Sequence, residues 1–351
     1  MAVRQIPRVM RKIVATQFSP KFREATEIIE TPVPSPGPSE ILIKNRYVGI
    51  NASDINYTAG RYDQNLKPPF DCGFEGIGEV VAAGDQSNVN VGQSVLYMNM
   101  GAFSEYKVLK SAMAIPVPNT NPELLPLMLS GLTASISLDK YGEIKAGETV
   151  LITAAAGGAG QLAVQWAKNA GCHVIGTCSS EEKVQFLKSI GCDRAINYKT
   201  EVFKDVLKSE YPKGVDVVFE SVGGEMFDTC INSLAVKGRL IIIGYISGYE
   251  SEKGFKPSRL STLPQKLLPK SASVRGFFVM NFATDYKEYM TKLVQLLVGG
   301  KIKSFVDVGE TSKFGKFKKL EGVSDAVDYL YSGHSKGKVI VEIDDSFNSK
   351  L

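Results

Sequence analysis

The feature that most constrains the fold of this chain is a group of glycines at residues 157–160, inside the stretch "TVLITAAAGGAGQLAVQWAKNAG". The part before the glycines is a continuous apolar run that indicates a strand buried on both faces, and the part after them has the apolar spacing of a helix. Gly157, Gly158 and Gly160 allow the backbone to turn sharply between the two. A buried strand that passes through glycines directly into a helix is typical of the first strand and helix of a doubly wound sheet.

The alternation of strand and helix continues beyond this stretch. Short β-like runs, "HVIGTC", "RAINY", "VDVVFE" and "RLIIIG", are separated by segments with helical periodicity such as "EEKVQFLKSIGC". Strands that alternate with helices pair in parallel, so the predicted fold class is α/β with a doubly wound parallel sheet. A polar segment from Tyr249 to Ser273 interrupts the pattern and is expected to be a loop beside a site.

Residues 11–130 have a different character. Short β-like runs such as "ILIKNRYVGI" are punctuated there by Pro, Gly and Asn, which indicates a compact antiparallel β domain. The tail "KGKVIVEID" returns to β character and is expected to rejoin that domain. A chain of 351 residues is long enough for two domains, and we predict one from residues 1–130 with 303–351 and another from residues 131–302.

The glycine-rich turn predicts a dinucleotide cofactor. The pyrophosphate of such a cofactor sits at the N-terminus of a helix, where glycines let the backbone approach it closely. The turn Gly157-Gly158-Ala159-Gly160 is a variant of G-x-G-x-x-G. Its place between a strand and a helix favours a binding turn over the alternative, a glycine-rich turn without a ligand.

The end of the second strand predicts which dinucleotide is bound. An enzyme specific for NAD places an acid there, about 20 residues after the glycines, to bind the ribose hydroxyls. This chain has "GTCSSEEK", with Ser179 and Ser180 at the strand end, Lys183 one helical turn later and Tyr198 after the next strand. Hydroxyls with a cation suit a 2′-phosphate, so NADPH is favoured over the alternative that Lys183 only solvates a helix face.

Composition excludes several classes of partner. The net charge of +4 is small for this length and the basic residues are scattered, which argues against nucleic acid. No apolar run reaches the length of a membrane span. The five cysteines form no C-x-x-C pair and are odd in number, as is typical of free thiols in a reducing compartment.

Both ends of the chain resemble targeting signals. Residues 1–23 contain basic residues and no acid, as mitochondrial presequences do, but "RKIVATQF" within them already predicts a strand. The final residues Ser349, Lys350 and Leu351 match the tripeptide that the peroxisomal import receptor binds. We therefore expect localisation in the peroxisome, with that receptor as a partner and the cytoplasm as the alternative.

The motifs "GFEGIGEV", "GAFSEY", "SGLTAS" and "FESVGG", together with the glycine-rich turn, resemble the medium-chain dehydrogenase/reductase superfamily over nearly the whole chain. The resemblance is closest to its branch of quinone oxidoreductases and prostaglandin reductases. It implies a GroES-like domain that the C-terminal tail completes, and a Rossmann domain inserted within it. It also implies a homodimer that forms through the edge strand, here "SVRGFFV".

The same resemblance predicts that no metal is bound. Zinc-dependent members place a Cys where this chain has "NASD", residues 51–54, and a His where it has Phe74, and the chain has only two histidines, His173 and His334. Zinc needs nitrogen or sulfur ligands that converge on one point. Glu75, next to Phe74, is therefore expected to belong to the scaffold and to accept hydrogen bonds from its turn or from a base such as Arg61.

Without zinc, reduction of a conjugated C=C is the chemistry that fits best. Oxidation of an alcohol requires a Lewis acid to hold the alkoxide, whereas reduction of an enone requires only hydrogen-bond donors at the developing enolate oxygen. The resemblance implies NADPH-dependent reduction of lipid-derived α,β-unsaturated ketones, with 15-oxo-prostaglandins reduced at the 13,14 double bond as the specific expectation. A quinone oxidoreductase and a catalytically idle NADPH-binding protein are the alternatives.

The resemblance also transfers roles to individual residues. Tyr249 matches a tyrosine near the nicotinamide ribose and enolate, although an exposed loop aromatic is the alternative. Related quinone oxidoreductases have a tyrosine where this chain has Asn56, and this departure weakens any role for that position or for Tyr57. The catalytic candidates are Asn51, Tyr62 and Tyr249, and the further cofactor contacts are Thr133, Ser221, Val222, Phe277, Phe278 and Val279.

Overall fold

A computed structural model describes residues 6–63, 65–251 and 260–344 of the chain. It divides into two compact units, one formed by Met1–Met128 with Val306–Leu351 and the other by Leu129–Phe305. Ser349, Lys350 and Leu351 lie outside the described residues, so the peroxisomal signal stays a prediction. In the part of the chain that is described, no helix is both long enough and apolar enough to cross a membrane.

Strands and helices are numbered along the chain. The strands are β1 Val9–Ala15, β2 Thr26–Pro32, β3 Glu40–Gly49, β4 Phe70–Asp71, β5 Glu75–Ala83, β6 Ser94–Met98, β7 Tyr106–Lys110, β8 Ala114–Val117, β9 Thr149–Ile152, β10 His173–Cys178, β11 Arg194–Asn197, β12 Val215–Glu220, β13 Leu234–Ile242, β14 Ser273–Gly276, β15 Val306–Asp307 and β16 Lys338–Glu342. The α-helices are α1 Phe22–Ala25, α2 Ser53–Thr58, α3 Leu129–Ile136, α4 Gly158–Asn169, α5 Glu181–Ser189, α6 Phe203–Glu210, α7 Gly224–Asn232, α8 Leu263–Leu267, α9 Tyr286–Val298 and α10 Glu321–Tyr331.

The first unit is built around β3. This strand pairs antiparallel with β5, β7 and β16, and the sheet runs in the order β15-β16-β3-β5-β6-β8, while β2-β1-β4 form a separate antiparallel sheet. Ile41 and Ile43 of β3 pack with Val80 and Val95 of the neighbouring strands in a buried core. The C-terminal strand β16 therefore joins the unit that the N-terminal strands form, as the β character of the tail predicted.

The second unit is a parallel sheet with the strand order β11-β10-β9-β12-β13-β14 among its described residues. This order corresponds to the doubly wound arrangement in which the direction of winding reverses between the first and fourth strands, here β9 and β12. Leu151, Ile175, Val218 and Leu240 come from four neighbouring strands and form its buried core. In this architecture a ligand binds outside the carboxyl ends of the strands at the reversal.

The segment from Tyr249 to Ser273 differs from the expected loop. Residues 252–259 lie outside the described part of the chain, but α8 and adjoining 3₁₀ turns occupy much of the remainder. Leu263 and Leu267 of α8 pack against the core of the second unit. The expectation of a loop over the whole segment was therefore wrong, because short helical turns with two apolar anchors are too brief to produce a periodic sequence signal.

Candidate active site

The predicted site residues fall into one group in each unit. In the second unit, the glycine-rich turn connects β9 to the twelve-residue helix α4, which starts without a side-chain cap because Gly157 occupies its N-cap position. A Cβ on Gly160 would lie 2.4 Å from the carbonyl oxygen of Ala154 and 2.7 Å from Cα of Ala155. Only glycine allows helix and strand to pack this closely. The uncapped N–H groups at the start of α4 are therefore suited to a pyrophosphate. The backbone N–H of Gly157 already donates to the carbonyl of Ala154 at 3.0 Å, and the cofactor contacts of Gly157, Gly158, Ala159 and Gly160 stay predictions.

The turn is fixed to the end of the next strand. Ala154 has a φ of +47°, a conformation that costs an ordinary residue about 1 kcal/mol, and its backbone N–H donates to Thr177 Oγ1 at 3.2 Å. Thr177 lies in β10, two residues before Ser179, the first of the serines that the sequence singled out. This contact ties the turn after β9 to the end of β10 within the second unit.

Three of the residues predicted to bind the 2′-phosphate, Ser180, Lys183 and Tyr198, lie near the end of β10, and their role there stays a prediction. Ser180 is the N-cap of α5, where its Oγ accepts from the backbone N–H of Lys183 at 3.3 Å. Tyr198 is 41% exposed, and its backbone N–H donates to the carbonyl of Cys178 at 3.1 Å, which brings it beside the strand end. The ammonium of Lys199, which the sequence analysis did not consider, lies 5.8 Å from the centre of the Tyr198 ring. Hydroxyls and cations gathered at one strand end fit a 2′-phosphate.

The turn after β12 is stabilised by the buried carboxyl of Glu220, a residue that the sequence analysis did not single out. Glu220 Oε1 accepts from the backbone N–H groups of Val222 and Gly223, each at 2.9 Å, and the backbone N–H of Ser221 donates to Thr153 Oγ1 at 2.9 Å. Burial raises the pKa of Glu220 to about 7, although the two backbone hydrogen bonds favour its charged form. The amides of Ser221 and Val222 are thus engaged within the unit, and their carbonyls accept from the backbone N–H groups of Ile246 and Ser247, each at 3.0 Å. The predicted cofactor contacts of Ser221 and Val222 stay predictions.

Tyr249 is buried rather than an exposed loop aromatic. Only 4% of it is exposed, and its Oη accepts from the backbone N–H of Tyr245 at 3.2 Å. The two rings meet edge to face with their centres 4.7 Å apart. Tyr245 therefore helps to position Tyr249, a role that the "GYISGY" sequence did not reveal because both tyrosines lie in an irregular turn.

The other predicted cofactor contacts differ in exposure. Phe277 is buried and stacks on Phe282 with ring centres 4.8 Å apart, and Val279 and Thr133 are also buried. Phe278 is about half exposed. Phe277 packs on aromatic neighbours within the unit, and the carbonyl of Val279 accepts from Tyr286 Oη at 3.0 Å. The cofactor roles of Thr133, Phe277, Phe278 and Val279 stay predictions.

In the first unit, Asn51 belongs to a buried network with Glu75 and Lys338. Lys338 Nζ lies 2.5 Å from Glu75 Oε1 and donates to Asn51 Oδ1 at 2.5 Å, while Asn51 Nδ2 donates to Glu75 Oε1 at 3.2 Å. Glu75 and Lys338 are the first residues of β5 and β16, which flank β3 on its two sides. A Cβ on Gly49, the last residue of β3, would lie 2.5 Å from Glu75 Oε1. Because Gly49 has no side chain, it leaves the space that the Glu75 carboxylate occupies.

The cation for Glu75 comes from the far end of the chain. The sequence suggested Arg61, whose Nη1 donates to Asn56 Oδ1 at 3.0 Å, and Asn56 Nδ2 in turn donates to Tyr62 Oη at 3.3 Å. Asn56, which stands where relatives have a tyrosine, thus orients the predicted catalytic Tyr62. Lys338 was missed because nothing local in "HSKGKVIVEID" separates a buried lysine from an exposed one.

Asp54 sits beside this network with one oxygen unused. Its Oδ2 accepts from the backbone N–H of Asn51 at 2.8 Å, whereas its buried Oδ1 has no hydrogen-bond partner. Burial raises the pKa of Asp54 to about 7, against the backbone hydrogen bond and the charge of Lys338, both of which lower it. The contact of Asp54 with the Asn51 backbone gives Asp54 a structural role in this loop.

The residues at the position of a zinc site do not fit zinc. Phe74 is buried and packs edge to face on Tyr57 with ring centres 5.4 Å apart, and burial raises the pKa of the Cys72 thiol. In the described ranges, no three His, Cys, Asp or Glu side chains are grouped so that they could hold a metal ion. A phenyl ring, an amide and a protonated thiol are not the ligands that zinc prefers, so the absence of a metal stays our prediction.

Comparison with known proteins identifies the family. A family model described as "Alcohol dehydrogenase GroES-like domain" matches residues 37–119, and one described as "Zinc-binding dehydrogenase" matches residues 158–296. The chain is 55% identical over 349 residues to prostaglandin reductase-3 of Mus musculus, with 99% of this chain and 93% of that protein covered. The chain belongs to the medium-chain dehydrogenase/reductase superfamily, in its prostaglandin reductase branch.

Other members of the family are similar over nearly the same length. A probable quinone oxidoreductase of Leishmania amazonensis is 46% identical over 342 residues, which cover 96% of this chain and 99% of that protein. The crystal structure of Escherichia coli quinone oxidoreductase complexed with NADPH aligns with a TM-score of 0.81 at 28% identity, covering 95% of this chain and 99% of that one. The predicted fold, a GroES-like domain with a parallel-sheet Rossmann domain, is confirmed.

The phosphate site at the end of β10 leads to a first prediction. Replacement Lys183→Ala should weaken NADPH binding by about 10- to 100-fold, the value of a charge-assisted hydrogen bond, and should leave NADH binding nearly unchanged. Dissociation constants measured by cofactor fluorescence test this. Lys188→Ala, at the other end of α5, is the matched control and should change neither constant. Equal losses for NADPH and NADH would contradict the assignment of Lys183.

The buried ion pair leads to a second prediction. Replacement Lys338→Met should lower the free energy of unfolding by about 3–5 kcal/mol, because it leaves the Glu75 charge buried without its cation. The double variant Glu75→Gln/Lys338→Met should recover much of that loss. Lys21→Met, which removes an exposed pair with Glu24, should cost less than about 1 kcal/mol. Urea unfolding measures all three, and a small loss for Lys338→Met would show that the pair is not buried as described.

Glu220 leads to a prediction about pH. The native state holds the Glu220 proton more tightly than the unfolded chain, so its contribution to stability is complete below pH 4.5 and is lost as the pH rises toward about 7. In Glu220→Gln, the free energy of unfolding should therefore fall less steeply as the pH rises, by about 1 kcal/mol per pH unit. Urea unfolding at several pH values between 4.5 and 7.5 tests it, with the exposed Glu225→Gln as a control that keeps the wild-type slope. An unaltered slope in Glu220→Gln would contradict the assignment.

Proposed function

We propose that the protein reduces the conjugated C=C of hydrophobic α,β-unsaturated ketones with NADPH. We further propose that 15-oxo-prostaglandins, reduced at the 13,14 double bond, are among its substrates. The observation that carries the proposal is the 55% identity to prostaglandin reductase-3 over 99% of this chain. The serine, lysine and tyrosine at the end of β10 support NADPH over NADH, and the NADPH complex of the related Escherichia coli protein agrees with that choice.

In the proposed reaction, some residues of the chain bind NADPH and others stabilise the negative charge that develops on the substrate. When bound, the reduced nicotinamide supplies a hydride to the β-carbon of the enone. Negative charge then develops on the ketone oxygen, which requires hydrogen-bond donors placed there in advance. The Asn51 amide and the hydroxyls of Tyr62 and Tyr249 are the donors that we propose. Each is held by a neighbour, Lys338, Asn56 and Tyr245 respectively.

Quinone reduction is the second candidate. It is favoured by the 46% identity to the probable quinone oxidoreductase of Leishmania amazonensis, over 96% of this chain. A quinone also accepts hydride from NADPH and develops charge on an oxygen, so the same donors would serve both reactions. The two functions therefore differ in the shape of the substrate and not in the catalytic groups.

A substrate comparison tests the proposal. We expect kcat/KM with NADPH to be higher for 15-oxo-prostaglandins and for long-chain enones than for ortho-quinones, and to fall by an order of magnitude or more with NADH. The assay is steady-state oxidation of NADPH, with product identity established by mass spectrometry. A preference for quinones would reverse the order of the two candidates, and tight NADPH binding without turnover of either class would favour an idle NADPH-binding protein.

Two further features of the proposal concern assembly and location. We propose a homodimer in which β14 pairs with β14 of a second copy, since β14 is the last strand at one edge of the described sheet and an exposed edge favours pairing. Peroxisomal localisation through Ser349, Lys350 and Leu351, with a role in lipid metabolism, also remains a proposal. It is supported by the sequence of that tripeptide, and the cytoplasm is the alternative.

A further inference from the structure

The amide of Asn51 is held at both ends by partners with opposite requirements. The ammonium of Lys338 can only donate, so it must face Oδ1, and the carboxylate of Glu75 accepts, so it must face Nδ2. The oxygen and nitrogen of an amide have nearly the same shape, and their orientation is decided by hydrogen-bond partners alone. The ion pair between Lys338 and Glu75 therefore allows Asn51 one orientation and excludes the one turned by half a rotation.

The held amide keeps one hydrogen that is only weakly bound. Asn51 Nδ2 carries two hydrogens: one is donated to Glu75 Oε1 at 3.2 Å, and the other faces the carbonyl of Gly49 at 3.4 Å, near the limit for a hydrogen bond. The backbone of Asn51 is fixed as well, since its N–H donates to Asp54 Oδ2 at 2.8 Å. The side chain is thus held in place, while one of its N–H groups can exchange its weak hydrogen bond to Gly49 for a bond to a stronger acceptor at little cost in free energy.

The ion pair cannot easily shift and carry the amide with it. Glu75 Oε1 lies against the backbone of Gly49, where even a methyl group would come within 2.5 Å. Lys338 is almost fully buried at the start of β16, whose pairing with β3 fixes its position. The orientation of Asn51 is therefore set by a residue 287 positions later in the chain.

We propose that Lys338 is a positioning residue for the reaction: through its ion pair with Glu75 it orients Asn51 so that an amide N–H, and not the amide carbonyl, is presented to the ketone oxygen of the substrate. This role rests on the proposed enone reduction. With the amide turned by half a rotation, an acceptor would stand where a donor is needed, and it would repel the charge that develops on the enolate oxygen. Lys338 itself makes no contact with substrate in this scheme.

A double-mutant cycle separates positioning from simple damage to the fold. Glu75→Gln/Lys338→Met removes the ion pair without leaving an unpaired buried charge, and Asn51→Ala removes the amide. Each should lower kcat for an enone on the order of 100-fold, the loss typical of one oxyanion donor, with a smaller change in KM. The combined variant should be no slower than Asn51→Ala, because the pair acts through the amide. Losses that multiply in the combined variant would overturn the proposal.

The chain provides a matched control for the ion pair. Arg46 and Glu342 form a second ion pair at 2.6 Å on β3 and β16, the strand that also carries Lys338. Arg46 is as buried as Lys338, whereas the Glu342 side chain is 14% exposed, so Arg46→Met/Glu342→Gln removes a pair of the same charge that is partly buried. This variant should retain kcat within about threefold of the wild type. A loss as large as that of Glu75→Gln/Lys338→Met would show that any buried pair in this unit has the same effect, and would overturn the proposal.

A measurement without substrate keeps the test independent of the proposed function. The side-chain amide signals of Asn51 in ¹⁵N NMR spectra, assigned by their loss in Asn51→Ala, report how the amide is held. We expect their hydrogen exchange to be about tenfold faster or more in Glu75→Gln/Lys338→Met and close to wild type in Lys338→Arg, which retains a donor. Unchanged exchange in the ion-pair variant would overturn the proposal whatever the substrate. If hydrogen exchange of the Asn51 amide changes as expected in the variants but the protein reduces no enone, the proposed function is rejected and the positioning of Asn51 by Lys338 is not.

Discussion

The buried contact between Lys338 and Glu75 is the interaction on which the first unit depends most. Removing two charges from water costs several kcal/mol for each ion, and only close pairing with further hydrogen bonds offsets that cost. The pair forms only when β5 and β16 both lie beside β3, so the burial of Glu75 among the N-terminal strands depends on the C-terminal strand. Because Asn51 bonds to both ions, the same contact that stabilises the unit also orients a predicted catalytic side chain.

In the second unit, buried hydrogen bonds likewise hold two backbone turns in place. The turn after β9 is tied to β10 through Thr177, and the turn after β12 is tied to its own strand by Glu220. Both turns lie at carboxyl ends of strands next to the point where the winding reverses, which is where doubly wound sheets bind ligands. Internal hydrogen bonds thus shape these turns in advance, and the N-terminus of α4 keeps N–H groups without a side-chain cap for a phosphate.

Where the structure brings predicted site residues near one another, they are neighbours along the chain. Gly160 lies in the first turn of α4, just after the turn that follows β9, and Ser180 and Lys183 are three residues apart at the start of α5, so local spacing was enough to place them. The parts that the sequence missed depend on distant partners. Arg61 was suggested for Glu75 because it is near in sequence, whereas the partner found, Lys338, is separated from Glu75 by most of the chain and was brought near by sheet pairing.

By itself, the sequence determined the alternation of strands and helices, the glycine turn and the family, because periodicity, backbone freedom and motif spacing are properties of short segments. Only the tertiary structure decided which cation neutralises Glu75, that Glu220 holds the turn after β12, and that Tyr249 is buried against Tyr245. These outcomes depend on which strands become neighbours and which polar groups lose contact with water. A buried charge or amide must then take whatever partner the fold brings within hydrogen-bond distance, and no local pattern records that partner.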